Sequence, residues 1–159
     1  MIIENGQAHD RHTEGQAHSP STSRAAAILR GVYRLFIDQG LAPVAEFSLP
    51  NGRRVDVAAL DERGMFVFVE IKSCLNDFRT DRKWHTYREY CDRFYFAVDP
   101  DFPAAVLPDT AGLICADRFG GATLREPDEG DPLKPARRKS LTLRFARAAA
   151  LRAATPLTV

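Results

Sequence analysis

Two short apolar runs joined by a polar turn form the clearest pattern in the chain. Residues 55–60 and 65–71 are mostly apolar, and residues 61–64 between them are Asp-Glu-Arg-Gly. Apolar runs of this length around a turn that ends in glycine predict a β-hairpin. Gly64 suits the positive-φ position that closes a three-residue loop.

The loop length also predicts which charged residues meet. If Asp61 pairs with Met65 across the loop, the register places Asp56 directly opposite Glu70. Lys72 then shares a face with Glu70, because side chains on a strand repeat every two residues. The hairpin is therefore expected to carry two carboxylates and an amine on one face, an arrangement that is costly to fold and suited to holding a metal.

The hydrophobic pattern outside the hairpin predicts a mixed α/β fold. The helical stripe in residues 25–39 is followed by glycine, and the other segments have strand or helix spacing. The predicted helices span residues 25–39, the later part of 75–91, 103–107 and 140–153, and the predicted strands span 44–49, 55–60, 65–71, 94–98, 112–116 and 122–125. Asp77 or Thr80 is a candidate cap for the second helix.

Composition shifts suggest four segments. Residues 1–20 are polar and contain three of the four histidines, which indicates a disordered tail or, less simply, a metal-binding tail. Residues 21–126 form the predicted domain, and residues 127–135 are an acidic, proline-containing stretch typical of linkers. Residues 136–159 predict a basic C-terminal helix that packs on or near the domain.

The whole-chain composition is that of a globular protein, with 45% hydrophobic and 27% charged residues. The three cysteines are widely spaced and lack a CxxC pair, which favours reduced thiols over a zinc site. We find no signal-peptide pattern and no apolar run of membrane-spanning length. We therefore expect a soluble cytoplasmic protein without a membrane partner.

The hairpin residues fit the chemistry of phosphodiester hydrolysis. Mg²⁺ or Mn²⁺ prefers oxygen ligands, which Asp56, Glu70 and the backbone carbonyl of Ile71 would supply. Lys72 would orient the attacking water or stabilise the phosphate. A solvated Glu70–Lys72 pair at a strand end is the structural alternative.

Basic and aromatic residues predict a nucleic-acid surface in two places. In the second helix, Asp77 and Asp81 are candidate caps or, alternatively, catalytic residues. The alternative for Trp84 and Tyr87 is packing in the core, and we expect Trp84 in the core and Lys83 at the site. The candidate DNA-binding residues are Arg79, Arg82, Lys83, Tyr87, Arg137, Arg138 and Lys139. The C-terminal helix could equally bind an acidic protein or the chain's own acidic stretch.

The order of elements and the D…ExK spacing resemble the PD-(D/E)XK nuclease superfamily. That superfamily has a restriction-endonuclease-like α-β-β-β-α-β core with its acidic pair and lysine on the second and third strands. In this chain Val55 stands where the named motif has proline. Lys83 and Tyr87 match the spacing of a Gln-x-x-x-Tyr motif of RecB-like members, with Lys in place of Gln. The resemblance implies a catalytic role for Asp56, Glu70, Lys72 and Lys83. Members often carry a helper glutamate early in the core, which implies that Glu46, on the preceding strand, is an extra metal ligand; the alternative is a solvent-facing Glu46 on an edge strand.

A closer resemblance covers about residues 25–98. The segment EIKSCLNDFRTDRKWHTYREYCDRFYFAV, residues 70–98, is similar to the MmcB family of bacterial DNA repair proteins. This resemblance implies a role in DNA damage repair, with DNA and translesion-synthesis proteins as partners in a nucleoid-associated setting. We also expect a homodimer, by analogy with PD-(D/E)XK nucleases.

We therefore predict metal-dependent phosphodiester hydrolysis on damaged or structured DNA, linked to mutagenic translesion repair. The alternative is a non-catalytic module that recognises DNA structure and recruits repair partners. A restriction-type endonuclease is a third hypothesis, although no segment resembles a separate target-recognition region.

Overall fold

The computed structural model describes residues 20–81 and 83–155, with side chains from residue 23 onward. Within this part, the helices are α1 (Pro20–Asp38), α2 (Leu75–Thr80), α3 (Pro135–Ala154) and two 3₁₀ helices (Trp84–Tyr90 and Ala104–Val106). The strands are β1 (Ala42–Ser48), β2 (Arg54–Leu60), β3 (Phe66–Lys72), β4 (Arg93–Val98), β5 (Gly112–Ala116) and β6 (Gly121–Arg125).

The six strands form one mixed sheet in the order β1-β2-β3-β4-β5-β6. β1, β2 and β3 are antiparallel, β3, β4 and β5 are parallel, and β6 returns antiparallel to β5. Helices flank the sheet, so the α/β fold predicted from the sequence is confirmed. The architecture is consistent with a restriction-endonuclease-like fold.

Helices cover both faces of the sheet, as amphipathic elements must to bury their apolar sides. On one face, α1 packs Ile28, Val32 and Phe36 against the strands. On the other face, α3 and the 3₁₀ helix Trp84–Tyr90 contribute to a second cluster. The buried aromatic residues of this second face are Phe47, Phe66, Phe68, Trp84, Tyr87, Phe94, Phe96, Phe102 and Phe145.

A glycine allows α1 to lie directly on the connection between β5 and β6. A Cβ atom on Gly31 would lie 2.2 Å from the carbonyl oxygen of Asp117 and 2.4 Å from that of Gly120. Glycine inside a helix lowers its stability relative to alanine, and here the close approach explains why it is there. The helix begins at Pro20 rather than residue 25. The rest of the predicted tail lies outside the described residues.

The segment 75–91, in whose later part the sequence predicts one helix, contains two helical elements. α2 ends at Thr80, and a 3₁₀ helix begins at Trp84. The predicted caps are wrong: the N-cap position of α2 is Cys74, which makes no side-chain capping bond. The Thr80 hydroxyl donates to the carbonyl of Asn76 in the last turn. The helix is interrupted where Asp81 turns the chain.

The stretch before α3 contacts the sheet. The Tyr95 hydroxyl donates to Glu126 at 2.5 Å, and the backbone N–H of buried Leu133 donates to Asp92. α3 then begins at Pro135 rather than residue 140, with proline at a position where its missing N–H is harmless. The division into domain, linker and C-terminal helix remains a prediction. None of the described helices has the length and apolar character needed to span a membrane.

Candidate functional site

The predicted hairpin forms with the predicted register. Gly64 has a φ of 78° in the loop, and Val57 pairs with Val69 at the far end of the β2–β3 ladder. One step further along the same register, Asp56 faces Glu70. Beyond the Val57–Val69 pair, the hydrogen bond from β2 to the backbone of Ile71 comes from a side chain rather than from the main chain.

Asp56 supplies that bond from its carboxylate. Its Oδ2 accepts the backbone N–H of Ile71 at 2.7 Å. Burial raises the pKa of Asp56, and the Ile71 bond and the Lys72 charge only partly oppose this; Glu46 adds to the rise. A carboxylate with a raised pKa holds its charge at a cost that a nearby cation would offset.

Glu70 is the least compensated acid of the site. It is buried, with 9% of its surface exposed. Its Oε1 lies 3.4 Å from the Nζ of Lys72, whereas its buried Oε2 has no hydrogen-bond partner among the described residues. Burial raises the pKa of Glu70 to about 8, with Asp56 as the next contributor, so the nearby Lys72 does not restore an ordinary acidity.

Lys72 is paired mainly with Asp81. Its Nζ lies 2.6 Å from Asp81 Oδ2. Burial lowers the pKa of Lys72, but hydrogen bonding to Asp81 and the charges of Glu70 and Asp81 outweigh it, and the net pKa is raised. Lys72 is therefore an ammonium ion at neutral pH. The pKa of Asp81 is lowered because its bonds to Lys72 and the Lys83 N–H outweigh burial.

Asp81 thus belongs to the site, whereas the sequence favoured a role in capping the next helix. One oxygen does serve the local turn, since Oδ1 accepts the N–H of Lys83 at 2.8 Å. The other reaches back to the end of β3. A sequence signal existed in the shortness of the segment between Lys72 and Asp81, which keeps any acid there close to the strand end.

Tyr87 brings a hydroxyl to the same place from the 3₁₀ helix. Its ring is buried and stacks with Phe94, and its hydroxyl donates to the Arg54 carbonyl at 3.1 Å. Burial raises the pKa of Tyr87 to about 12, with the charges of Glu70, Asp81 and Asp56 contributing. Trp84 is in the core, as expected. The ring of Tyr87 packs in the interior, and contact between Tyr87 and DNA remains a prediction.

Arg53 is a residue that the sequence did not single out. Its Nη1 is buried and has no hydrogen-bond partner within the described residues. Its charge lowers the pKa of Tyr87, while Glu70 raises it. Arg53 and Glu70, which each have a buried polar atom without a partner among the described residues, therefore shift the pKa of Tyr87 in opposite directions. No motif marks Arg53, which only follows a turn.

The remaining predicted residues of this region lie at its edge. Glu46 is exposed and ion-paired with Arg54 at 3.4 Å, and its φ of 49° is uncommon for a residue other than glycine. Arg79 and Lys83 are exposed, and the charge of Lys83 helps to lower the pKa of Asp81. Arg82 lies outside the described residues.

The C-terminal basic trio lies elsewhere. Arg138 forms a bidentate pair with Asp92 at 2.7 and 2.8 Å and also donates to the carbonyl of Gly64. Gly64 is in the hairpin loop, at the opposite end of β3 from Glu70. Arg137 donates to the carbonyl of Glu89 at 2.6 Å, and Lys139 is exposed. The structure therefore does not bring this trio to the carboxylates, and the acidic partner of Arg138 is not in residues 127–135.

The described residues contain no group of three or more His, Cys, Asp or Glu side chains arranged to hold a metal. The site has two carboxylates that could bind a metal, Asp56 and Glu70. The third nearby acid, Asp81, is ion-paired with Lys72. Mg²⁺ is commonly held by one or two carboxylates together with water and substrate phosphate. The donor set therefore fits a substrate-assisted metal site rather than a closed protein cage.

A solved structure is similar to this fold. It is that of a protein of unknown function from Silicibacter pomeroyi, with a TM-score of 0.79 and 41% sequence identity over 82% of this chain and 89% of that one. The comparison with curated proteins found no significant match.

A family model confirms the resemblance first seen in residues 70–98. The model for DNA repair proteins of the MmcB-like type matches residues 12–157, nearly the whole chain. The wider PD-(D/E)XK assignment remains a prediction. The chain belongs to the MmcB-like DNA repair protein family.

Proposed function

We propose that this DNA repair protein is a metal-dependent nuclease that hydrolyses phosphodiester bonds in damaged or structured DNA. The observation that carries the proposal is Glu70, a buried acid with an unpartnered oxygen beside Asp56. A pure binding module gains nothing from two poorly compensated carboxylates in its interior. The association of this protein with translesion-synthesis proteins is proposed on family membership alone.

The donor chemistry fits Mg²⁺ or Mn²⁺. Asp56 and Glu70 are hard oxygen donors, and burial raises the pKa of each, so a bound cation would stabilise their charged forms. The backbone carbonyl of Ile71 is the proposed third protein ligand. A bound divalent ion would activate water and neutralise charge on the phosphate.

Lys72 contributes charge and does not serve as a base. Its raised pKa keeps it protonated at neutral pH, so it donates hydrogen bonds to a phosphate oxygen or holds the attacking water. Asp81 fixes the ammonium in place at 2.6 Å. This is preorganised electrostatic stabilisation, in which the donor is already oriented before charge develops.

Arg53 supplies a second positive group to the substrate side. A phosphate beside Tyr87 would give the Arg53 Nη1 the acceptor that the described residues do not provide. Arginine is well suited to phosphate because its planar donors match two oxygens at once. A phosphate and a cation together would satisfy both partnerless atoms of the site.

The test is a cleavage assay on nicked, gapped, abasic-site and branched DNA with Mn²⁺ or Mg²⁺. We expect cleavage by the wild type and at least a ~100-fold loss in Asp56→Asn. The control is Asp109→Asn, because Asp109 is an exposed acid paired with Arg125 on the surface. Absence of cleavage on every substrate, with DNA binding retained, would favour the non-catalytic recognition module. Equal rates for Asp56→Asn and wild type would also contradict the proposal.

A further inference from the structure

A basic groove runs between α3 and β1. It has a volume of about 460 Å³ and is open to solvent along the helix. Its lining residues from β1 are Glu46, Phe47 and Ser48, and those from α3 are Ser140, Leu143, Arg144, Arg147, Ala148, Leu151 and Arg152.

One face of α3 supplies the positive charge. Ser140, Arg144, Arg147 and Leu151 follow one another at the three- and four-residue spacing of a helix face, while Phe145 turns to the core. Arg144 and Arg147 are exposed. In the described part of the chain, neither has a hydrogen-bond or ion-pair partner. These two cations are therefore available for an external partner, unlike Arg138.

The groove ends beside Asp56. Glu46 lines it and lies opposite Asp56 in the β1–β2 register, between the pairs Ala45–Val57 and Phe47–Val55. Glu46 also has a positive φ, a backbone state that is uncommon for a residue other than glycine and recurs at functional sites. Arg152 donates to the Glu46 carbonyl at 3.3 Å, so α3 is hydrogen-bonded to β1 at this point.

We propose that this groove binds the sugar-phosphate backbone of the DNA strand that enters the Asp56–Glu70 site, with Arg144 and Arg147 neutralising successive phosphates. The inference rests on the proposed function and deepens it. α3 carries no acidic residue, and Glu46, the acid that lines the groove, is already paired with Arg54. The exposed Leu143 and Leu151 would contact the apolar faces of sugars and bases.

The test uses DNA binding without cleavage. Fluorescence anisotropy of labelled single-stranded and nicked DNA would be measured in EDTA across a salt series. Removing two phosphate contacts in Arg144→Ala/Arg147→Ala should reduce the slope of log K against log salt by about 1.4 for single strands and about 1.8 for duplex. The control is Arg30→Ala/Arg63→Ala, which removes two exposed cations outside the groove.

A salt slope equal to that of the control would overturn the inference, as would wild-type protein that does not bind DNA. An acidic protein partner would appear as polyglutamate binding that is lost in Arg144→Ala/Arg147→Ala while DNA binding is unchanged, and this also overturns it. The binding assay contains no metal, so its outcome does not depend on cleavage. Wild-type protein that binds DNA through the groove but cuts no substrate in the cleavage assay would contradict only the proposed function. Circular dichroism would confirm that both double variants are folded.

Discussion

Lys72 pairs with Asp81 at 2.6 Å, more closely than with Glu70 at 3.4 Å, although Glu70 is its neighbour on the same strand. The consequence is an asymmetric site. Asp81 has a lowered pKa and a full partner, whereas Glu70 has a raised pKa and one oxygen without a partner. The lysine is thereby held in place, and the two strand carboxylates are left for a cation.

Asp81→Asn should release Lys72 toward Glu70. We expect the pKa of Glu70 to fall, metal affinity to drop because the ammonium now competes for the same carboxylate, and cleavage to decrease about 10-fold. The measurement is the pH profile of Mn²⁺ binding, which should shift to lower pH. A loss of packing alone would not move that profile.

The matched control for this variant is Asp77→Asn. Asp77 lies in α2 and accepts a hydrogen bond from Ser73 rather than from Lys72. If the two variants give the same pH profile as wild type, the proposed positioning role of Asp81 is wrong.

Glu70 should make the metal-free protein less stable as the pH rises. Its pKa is about 8 in the folded state, against 4.5 as its ordinary value. Between these values the unfolded chain has lost the proton that the folded protein keeps, so stability is full below about pH 4.5 and is lost toward pH 8. The shift corresponds to at most about 4–5 kcal/mol.

Urea unfolding of wild type and Glu70→Gln at several pH values measures this contribution. We expect the difference in unfolding free energy to move in favour of Glu70→Gln as the pH rises from 5 to 8.5. A difference that is constant with pH would show that Glu70 titrates normally in the fold.

Arg138 should be a structural residue. It pairs in a bidentate manner with Asp92, whose side chain is 2% exposed. Removing one partner of a buried ion pair costs about 3–5 kcal/mol, so Arg138→Met should lower the free energy of unfolding by an amount in that range. Arg137→Met is the control, because its hydrogen bond to the Glu89 carbonyl and its long ion pair with Glu89 are both exposed, and an exposed ion pair is worth about 0–1 kcal/mol.

The same pair has a definite pH dependence. Hydrogen bonding to Arg138 and to backbone N–H groups outweighs burial and lowers the pKa of Asp92. Its stabilisation is therefore present above the ordinary pKa of aspartate and is lost as the pH falls below it. In Arg138→Met this loss of stability at low pH should be smaller than in the wild type. Equal loss of stability at low pH in the wild type and Arg138→Met would contradict the structural role of the Arg138–Asp92 pair.

The hairpin could be predicted because its information is local. Gly64 defines the loop, and the loop fixes the partners of Asp56 and Glu70 on a strand pair with a period of two. Asp81 was harder, since a helix cap and an ion pair with a strand end require the same residue type. Only the interruption of the helix between Thr80 and Trp84 separates the two interpretations.

The sequence spacing of the C-terminal arginines could not predict which of them form ion pairs within the fold and which are exposed. Arg137 and Arg138 form part of a basic run, and a basic run is consistent with a DNA surface. The partner of Arg138 is Asp92, 46 residues away in sequence and brought close by the fold. Arg144 and Arg147 belong to the same run, and helix rotation leaves them exposed beside β1.

The most direct test of a metal site at Asp56 and Glu70 is calorimetric titration of Mn²⁺ into the full chain near pH 7, in two buffers of different ionisation heat. We expect one ion to bind with release of about one proton, because Glu70 must deprotonate to become a ligand. Asp56→Asn and Glu70→Gln should abolish this binding, and Asp109→Asn should leave it unchanged. No binding, or equal binding by all four proteins, would contradict the account.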